Sequence, residues 1–192
     1  MKAGVRSDLL LHCCCGPCST AVIERLAEEY NMTLYYFNPN ITDSEEYEKR
    51  KASLLKFIAA YNGSREAEEK VHFLEGPYDT RVFYERIKGL ETEPEGGKRC
   101  EKCFELRLSA TAKKAKKMGL QCFSTTLTIS PHKSYPLISS IGTKQSLNFD
   151  IQYLDGNFKK KAGFERSLRL SEEHGLYRQN YCGCEFSKLL KR

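Results

Sequence analysis

The stretch DLLLHCCCGPCSTAVIERLAEEY, residues 8–30, decides the fold class of this chain. Asp8 to His12 is a short apolar run that predicts a strand, and Thr20 to Tyr30 carries apolar residues at helical spacing. Between them lie four cysteines, and Gly16-Pro17 predicts a tight turn that exposes sulfurs beside the amino end of the helix. The stretch therefore predicts a strand, a cysteine-rich loop and a helix.

The same alternation continues along the chain. Further strands are predicted over Thr33–Phe37, Val71–Leu74, Cys122–Leu127 and Ile151–Leu154, and further helices over Ser44–Tyr61, Asp79–Ile87, Cys100–Met118, Tyr135–Ser146 and Phe164–His174. Thr42 or Ser44 is the expected cap of the second helix, and Glu91–Lys98 is an expected exposed loop. This order predicts an α/β fold with a mostly parallel sheet, helices on both faces and a metal site at the carboxyl ends of the strands.

Length and composition indicate an ordinary globular protein. The 192 residues are 40% hydrophobic and 29% charged, and they contain neither an internal repeat nor a long linker. We expect a single domain over residues 1–192. Folding of a chain this long buries roughly 70% of its unfolded surface, so the core does not need a metal to form, unlike that of a zinc finger.

Charge and hydropathy restrict the partners. No run approaches the ~18–20 apolar residues that span a bilayer, and Met1 to Asp8 is too short and polar for a signal peptide. We therefore expect a cytoplasmic protein with no membrane partner. The net charge of +6, with basic runs at Lys113–Lys117 and Lys159–Lys161, is compatible with RNA binding or simply with solvated surface.

Nine cysteines are the strongest chemical signal. Eight of them lie in three clusters, CCCGPC at 13–18, CEKC at 100–103 and CGC at 182–184, and Cys122 stands apart from all three. An odd number of cysteines without a secretory leader argues against a framework of structural disulfides. The thiols are better interpreted as metal ligands or redox groups.

The second cluster has metal-ligand spacing. Cys100 and Cys103 lie three residues apart at the start of a predicted helix, so both sulfurs can hold one centre. Alone, this pair favours metal binding, with a redox pair or chance as the alternatives. Together with Cys14 and Cys15 it supplies four thiolates, which suit tetrahedral zinc or an iron–sulfur cluster. The surplus of neighbouring cysteines favours iron–sulfur, and Cys18 is a further candidate ligand.

The third cluster indicates redox chemistry. A disulfide between Cys182 and Cys184 closes over one residue, and strain makes such a bond easy to reduce. The alternative interpretation is a pair of metal ligands or of free thiols.

Four motifs together resemble the QueH family of epoxyqueuosine reductases. They follow the family's order, and no single one is specific. They are HCCCGP at 12–17, RCEKCF at 99–104 with Arg107-Leu108, TTLTISP at 125–131 with Lys133, and YRQNYCGC at 177–184.

This resemblance implies the last step of queuosine biosynthesis, the two-electron reduction of epoxyqueuosine to queuosine at the wobble position of tRNA. It implies a 4Fe-4S cluster without cobalamin, and a nucleotide-alpha-hydrolase-like (HUP-like) fold. It also implies an adjacent mononuclear metal ion, which we expect to be iron and for which Cys18 is a candidate ligand. The family's cluster ligands correspond to Cys14, Cys15, Cys100 and Cys103, and its redox-active pair corresponds to Cys182 and Cys184.

Three consecutive cysteines complicate the assignment. The pair Cys13-Cys14 is an alternative to Cys14-Cys15, and we assign the latter because it directly precedes Gly16-Pro17, as in the family motif.

Neighbouring residues supply candidates for catalysis and tRNA contact. The thiols of Cys182 and Cys184 and the phenol of Tyr181 are candidate proton donors. Splayed RNA bases are held by stacking and by phosphate contacts. Candidates for those contacts are Arg99, Arg107, Lys133, Arg178 and Tyr177, with salt bridges and core packing as the alternative roles.

Two other functions remain open on the sequence. One is a zinc-binding RNA adaptor without catalysis, and the other is a dithiol oxidoreductase that uses Cys182 and Cys184. The electron donor of the expected reductase is not identified by any motif.

Overall fold

Five strands form the sheet at the centre of the structure, a computed structural model that describes residues 6–189. They are β1 (Ser7–His12), β2 (Tyr30–Tyr36), β3 (His72–Glu75), β4 (Cys122–Thr125) and β5 (Gln152–Tyr153). The helices of the described part are α1 (Gly16–Leu26), α2 (Ser44–Asn62), α3 (Arg81–Ile87), α4 (Lys98–Lys117), α5 (Tyr135–Phe149), α6 (Gly163–Glu173) and α7 (Glu185–Leu189). Short 3₁₀ helices span Ala67–Glu69 and Thr126–Ile129.

The sheet is parallel throughout, in the order β3-β2-β1-β4-β5. The chain therefore leaves β1 toward one edge of the sheet and leaves β4 toward the other. A crevice opens at the carboxyl ends of two such strands, and ligands of open α/β sheets bind there. The predicted α/β fold with a parallel sheet is confirmed, and the first cysteine cluster follows β1 at this crevice.

The leucines of β1 show why this strand is central. Leu9, Leu10 and Leu11 are fully buried. Leu9 and Leu11 belong to the core on one face, which includes residues of α1, α2 and α6, whereas Leu10 packs on the opposite face with residues of α4 and β4. A continuous apolar run is typical of a parallel strand that is covered on both faces.

The first helix differs from its predicted range. It begins at Gly16 rather than Thr20, because Pro17 fits the first helical turn, where its missing N–H costs no hydrogen bond. Gly16-Pro17 is thus the start of the helix itself and not a separate turn that exposes sulfurs. The helix ends at Leu26, and Tyr30 already pairs with Ser7 as the first residue of β2.

Two local predictions are corrected by side-chain hydrogen bonds. The cap of α2 is Asp43, whose carboxylate accepts from the backbone N–H groups of Glu45 and Glu46, and neither predicted residue fills this role. β4 ends at Thr125, two residues before the predicted end at Leu127. The Thr125 hydroxyl accepts from the backbone N–H of Leu127 and starts a 3₁₀ turn.

The remaining predicted strands and helices are present with shifted ends, and residues 91–97 form the expected loop, most of which is exposed. The helix α7, which directly follows the CGC cluster, was not predicted. No helix within residues 6–189 is long and apolar enough to cross a membrane. Residues 1–5, which belong to the polar amino-terminal stretch, and residues 190–192 lie outside the described range. The single domain over 1–192 and the nucleotide-alpha-hydrolase-like class stay predictions.

Candidate thiol-rich active site

Three sulfurs meet where β1 ends and α1 begins. The Sγ atoms of Cys14, Cys15 and Cys18 all lie within 4.8 Å of one another. The backbone N–H of Cys13 extends the ladder by donating to the Tyr35 carbonyl at 2.9 Å, so the sheet determines where the following thiols lie. Within residues 6–189, no other group of three candidate metal-ligating side chains packs this closely.

Burial and mutual contact control the charge of these thiols. Cys14 and Cys15 are buried, with their sulfurs 3.8 Å apart. Hydrogen bonds from Cys15 and Cys18 hold the pKa of Cys14 well below its usual range, whereas burial raises the pKa of Cys15. Among these three cysteines, Cys14 is therefore favoured as the thiolate, and the thiols of Cys15 and Cys18 stabilise it as hydrogen-bond donors.

The second cysteine pair lies at the start of α4. Cys100 and Cys103 are both buried, and the backbone N–H of Gly96 donates to Cys100 Sγ at 3.2 Å. Cys100 belongs to the same packed cluster as Cys14 and Cys15. The structure thus brings three of the four predicted cluster ligands into one packed cluster.

Cys103 faces the third cysteine motif instead. It packs in a neighbouring cluster with Cys184, and burial raises its pKa to about 12. All nine thiols are free, including the predicted redox pair. Cys184 is buried, with its sulfur 3.6 Å from the Ser187 hydroxyl, whereas Cys182 is partly exposed. The first and third motifs therefore flank the second from two sides.

Two cations lie among the thiols. Arg107 is 1% exposed, its Nε donates to the Cys103 carbonyl at 3.2 Å, and its Nη2 is buried without a hydrogen-bond partner among the described residues. Burial lowers the pKa of Arg107, but electrostatic interaction with the sulfurs of Cys103, Cys182 and Cys14 raises it by more. The pKa of Arg107 is therefore higher than usual. The same balance raises the pKa of Lys133, with Cys182 as the strongest thiol contribution. The site thus carries positive charge that anionic sulfur can neutralise.

A cavity of about 500 Å³ adjoins the thiols. This volume lies within the range of ~300–1,000 Å³ that is typical of small-molecule sites. Cysteines of the first and third motifs reach it together with polar and cationic side chains. Its lining includes Cys18, Lys133, Arg178, Gln179, Tyr181 and Cys182.

The predicted tRNA-contact residues divide into two groups. Lys133 and Arg178 line the cavity, and Tyr177 is 40% exposed, with its hydroxyl donating to Glu46 at 2.7 Å. Arg99 and Arg107 are buried. Neither therefore presents an open surface to a phosphate group, and both lie beside the cysteines.

Arg99 supports the loop that precedes α4. Its Nη1 donates to the carbonyls of Glu91 and Glu93, and its guanidinium lies over the ring of Phe186 at 4.8 Å. Its Nε and Nη2 have no hydrogen-bond partner among the described residues. Arg99 therefore links the loop to α7, which follows the CGC motif.

His12 is a structural residue behind the site. Its Nε2 lies 3.1 Å from the Phe37 carbonyl, an acceptor only, which assigns the proton to Nε2. Its Nδ1 then accepts from the Thr125 hydroxyl at 3.0 Å. Burial lowers the pKa of His12 to about 4, consistent with this neutral form. His12 thus ties the carboxyl ends of β1, β2 and β4 together.

Two residues of the site were missed by sequence reasoning. Gln179 donates from Nε2 to Cys15 Sγ at 2.9 Å, and Arg50 donates to the carbonyl oxygens of Tyr181 and Cys182. Gln179 lies within the YRQNYCGC motif, which was the available signal. Arg50 lies in an ordinary amphipathic helix, and its sequence context contains no signal.

Buried thiols beside two cations that form no salt bridge within residues 6–189 suit a metal centre with negative sulfur ligands. The cavity beside them has room for an organic substrate, and Cys182 reaches it with a partly exposed thiol. The arrangement can therefore combine metal binding, thiol redox chemistry and ligand binding at one edge of the sheet.

Comparison with known proteins identifies the family of this chain. The family model described as "Epoxyqueuosine reductase QueH" matches residues 9–189. Relatives with that same name include proteins from Streptococcus pyogenes serotype M1, 40% identical over 97% of this chain and 72% of the relative, and from Thermotoga maritima, 38% identical over 96% and 92%. A third, from Staphylococcus epidermidis, is 38% identical over 98% of this chain and 79% of its own length. Because both the family model and these relatives cover nearly the whole thiol-bearing fold, the chain belongs to the QueH family of epoxyqueuosine reductases.

Proposed function

We propose that this protein is an epoxyqueuosine reductase that converts epoxyqueuosine at the wobble position of tRNA to queuosine. The observation that carries the proposal is the packing of the CEKC motif against both other cysteine motifs, beside a cavity that Cys18 and Cys182 both line. Reductive removal of oxygen needs electrons, protons and a bound substrate in one place. This edge of the sheet contains groups suited to each of them.

For the cofactor, we propose a 4Fe-4S cluster held by Cys14, Cys15, Cys100 and Cys103, without cobalamin. Support comes from the donor set itself, since buried thiolates are the usual ligands of such clusters. Arg107 Nη2, which has no hydrogen-bond partner in the described part of the chain, supports it further, because a buried cation is stabilised by the negative charge of thiolate-bound iron.

When bound, such a cluster supplies electrons and iron that can act as a Lewis acid. We propose Cys18 as the candidate ligand of an adjacent mononuclear iron, because its sulfur lies within 4.8 Å of those of Cys14 and Cys15 and the residue also lines the cavity.

The proposed reaction balances with two electrons and two protons. The epoxide loses its oxygen as water and becomes the cyclopentene. Oxidation of the thiols of Cys182 and Cys184 to a disulfide releases the same two electrons and two protons, and an unidentified donor then reduces the disulfide. Burial raises the pKa of Tyr181, so its phenol stays protonated and is a further proton donor beside Cys182.

The cavity is proposed to receive the modified base. A base must leave its stack to reach a buried site, and cations then hold the flanking phosphates. Arg178 is exposed and lines the cavity, and Lys133 lies deeper in the same wall. A tRNA substrate also places the proposed reaction in the cytoplasm.

The test is nucleoside mass spectrometry after incubation of anaerobically purified protein and dithionite with tRNA that contains epoxyqueuosine. We expect loss of one oxygen atom by the wild-type protein. Cys100→Ser should lose both iron and activity, whereas Cys182→Ser should keep its iron and lose turnover.

Cys122→Ala is the matched control, because Cys122 is a buried thiol at the opposite end of β4, about 10 Å along the strand from its carboxyl end. This variant should keep both iron and activity. Stoichiometric zinc without iron or sulfide in the wild-type protein would instead favour an RNA adaptor. Intact iron–sulfur without conversion would contradict the proposed substrate.

A further inference from the structure

A buried arginine of α2 holds the loop that carries the third cysteine motif. We call residues 181–184 the redox loop. Arg50 is 2% exposed, and its Nη1 and Nη2 donate to the carbonyl oxygens of Cys182 at 2.9 Å and Tyr181 at 3.1 Å. The guanidinium also lies 5.1 Å from the centre of the Tyr181 ring. One side chain therefore holds two consecutive peptide groups of the redox loop.

The guanidinium is itself held from the other side. Glu46, one helical turn earlier and also buried, accepts from Arg50 Nε at 2.7 Å. The second carboxylate oxygen of Glu46 accepts from the Tyr177 hydroxyl at 2.7 Å. A planar guanidinium that is paired along one edge presents its other N–H groups in a defined direction. Arg50 therefore fixes the direction of two carbonyls as well as their position.

The next peptide group of the redox loop is held as well. The backbone N–H of Thr42 donates to the Gly183 carbonyl at 3.2 Å. A Cβ built on Gly183 would lie 2.9 Å from Ile41 Cγ1 and 3.1 Å from Arg50 Nη1, so the loop packs closely on these groups. Three consecutive carbonyls are thus bound to α2 or to the segment that precedes it.

We infer that Arg50 is a positioning residue that holds the redox loop in its dithiol conformation and thereby makes a disulfide between Cys182 and Cys184 easier to reduce. Both thiols are free while every one of these contacts is made. Closing a disulfide over one residue requires the intervening backbone to turn, and the bound carbonyls resist that movement. The contacts therefore stabilise the reduced form relative to the oxidised form.

This inference rests on the redox role in the proposed function. Oxidation joins the two sulfurs and releases two electrons and two protons, which the epoxide accepts in the proposed reaction. Dithiothreitol returns two electrons and two protons to the disulfide when it is itself oxidised. The equilibrium of the pair with dithiothreitol can therefore be measured without tRNA.

The test is a redox titration of anaerobically purified Arg50→Lys and wild-type protein in mixtures of reduced and oxidised dithiothreitol. Free thiols are trapped by alkylation, and trypsin cleavage after Arg178 and Lys188 releases a peptide, residues 179–188, whose only cysteines are the pair in question. Lysine keeps the charge but cannot bind two carbonyls and Glu46 together. We expect the equilibrium to shift at least about tenfold toward the disulfide, or ~30 mV to more negative potential.

Arg166→Lys is the matched control, since Arg166 makes a bidentate pair with Glu24, with both distances 2.9 Å, and contacts no part of the redox loop in any hydrogen bond of the described residues. It should titrate as the wild-type protein does. A folded Arg50→Lys variant with the wild-type equilibrium would overturn the inference. If Arg50→Lys fails to fold, Glu46→Gln should shift the equilibrium in the same direction, and an unshifted, folded Glu46→Gln variant would overturn it equally.

Failure of the proposed function gives a different result. Suppose that Arg50→Lys shifts the equilibrium as expected but the wild-type protein leaves epoxyqueuosine unchanged. The role of Arg50 then stands, and the proposed substrate is rejected. A wild-type peptide that never forms the disulfide at any ratio of oxidised to reduced dithiothreitol overturns the inference and the proposed redox pair, but leaves reduction by the metal centre open to the nucleoside assay.

Discussion

Gly183 is the residue on which the geometry of the redox loop depends most directly. Its φ angle is 121°, a conformation that side-chain-bearing residues rarely adopt. The space that a Cβ would occupy is also taken by Ile41 and Arg50. Glycine is thus required both by the backbone conformation and by the close packing, between two cysteines that are proposed to react.

Replacing Gly183 by alanine should therefore destabilise the protein and disturb the redox loop. We expect Gly183→Ala to lower the free energy of unfolding by about 3 kcal/mol, since an unfavourable backbone conformation and overpacking act together. Urea unfolding measures this loss, and alkylation of the 179–188 peptide reports the change in the loop.

Gly119→Ala separates the two effects. Gly119 also has a positive φ, 70°, but nothing lies within 4 Å of the position of its Cβ. This control should lose only about 1 kcal/mol and leave alkylation unchanged. Equal losses for the two variants would show that packing around Gly183 contributes nothing.

At the scale of elements, the approach of α1 to α2 determines where the first cysteine motif lies. A Cβ on Gly16 would lie 2.6 Å from Ser53 Oγ and 2.7 Å from the backbone carbon and oxygen of the same residue. The two helices therefore touch through bare backbone at the first turn of α1. Cys15 precedes this contact, and Cys18 follows it by two residues.

We expect Gly16→Ala to separate the helices and to move the sulfurs on both sides of residue 16. Overpacking of this kind costs about 1–3 kcal/mol, measured by urea unfolding. The iron content of anaerobically purified protein should fall as well, because metal sites tolerate only small displacements of their ligands.

Two controls belong to this experiment. Gly63→Ala, at the carboxyl end of α2, should be nearly neutral, since its Cβ meets only backbone oxygens at 3.3 and 3.6 Å. Ser53→Ala should not rescue Gly16→Ala, because backbone atoms of Ser53 remain in the way. Rescue would contradict the proposed backbone contact.

At the scale of the whole molecule, the direction of α4 separates two positively charged regions. α4 begins at the cysteine-rich edge with Lys98 and runs 20 residues to Lys117, about 30 Å away. The basic run in its last turns therefore lies at the amino ends of the strands, whereas Arg178 lies at the cavity. Only the second region adjoins the proposed site.

This separation predicts unequal effects of equal charge changes on tRNA binding. Arg178→Glu and Lys117→Glu each lower the formal net charge by two, from +6 to +4. At physiological salt we expect Arg178→Glu to weaken tRNA binding about tenfold and Lys117→Glu less than about threefold, because only Arg178 faces the bound loop. Filter binding or fluorescence anisotropy measures both. Equal losses would indicate binding by overall charge alone.

The alternation of apolar runs was sufficient to predict the strands and most of the helices, because each buried element carries its periodicity locally. Boundaries were less predictable where one residue type serves two structures. Pro17 marks a turn in most contexts, but here it begins α1. Asp43 was missed as a cap because the neighbouring Thr42 and Ser44 are equally suited by type, and only the backbone geometry selects among them.

The sequence by itself determined the family, the order of the cysteine motifs and their position after the strands, since these features reside in short contiguous stretches. Only the tertiary structure decided which groups meet. It packed Cys100 with Cys14 and Cys15, buried Arg99 and Arg107 beside thiols, and brought Arg50 to a loop 132 residues away in the chain. Such contacts depend on how α2, α4 and the final loop pack around the sheet, and local sequence patterns do not encode packing between distant segments.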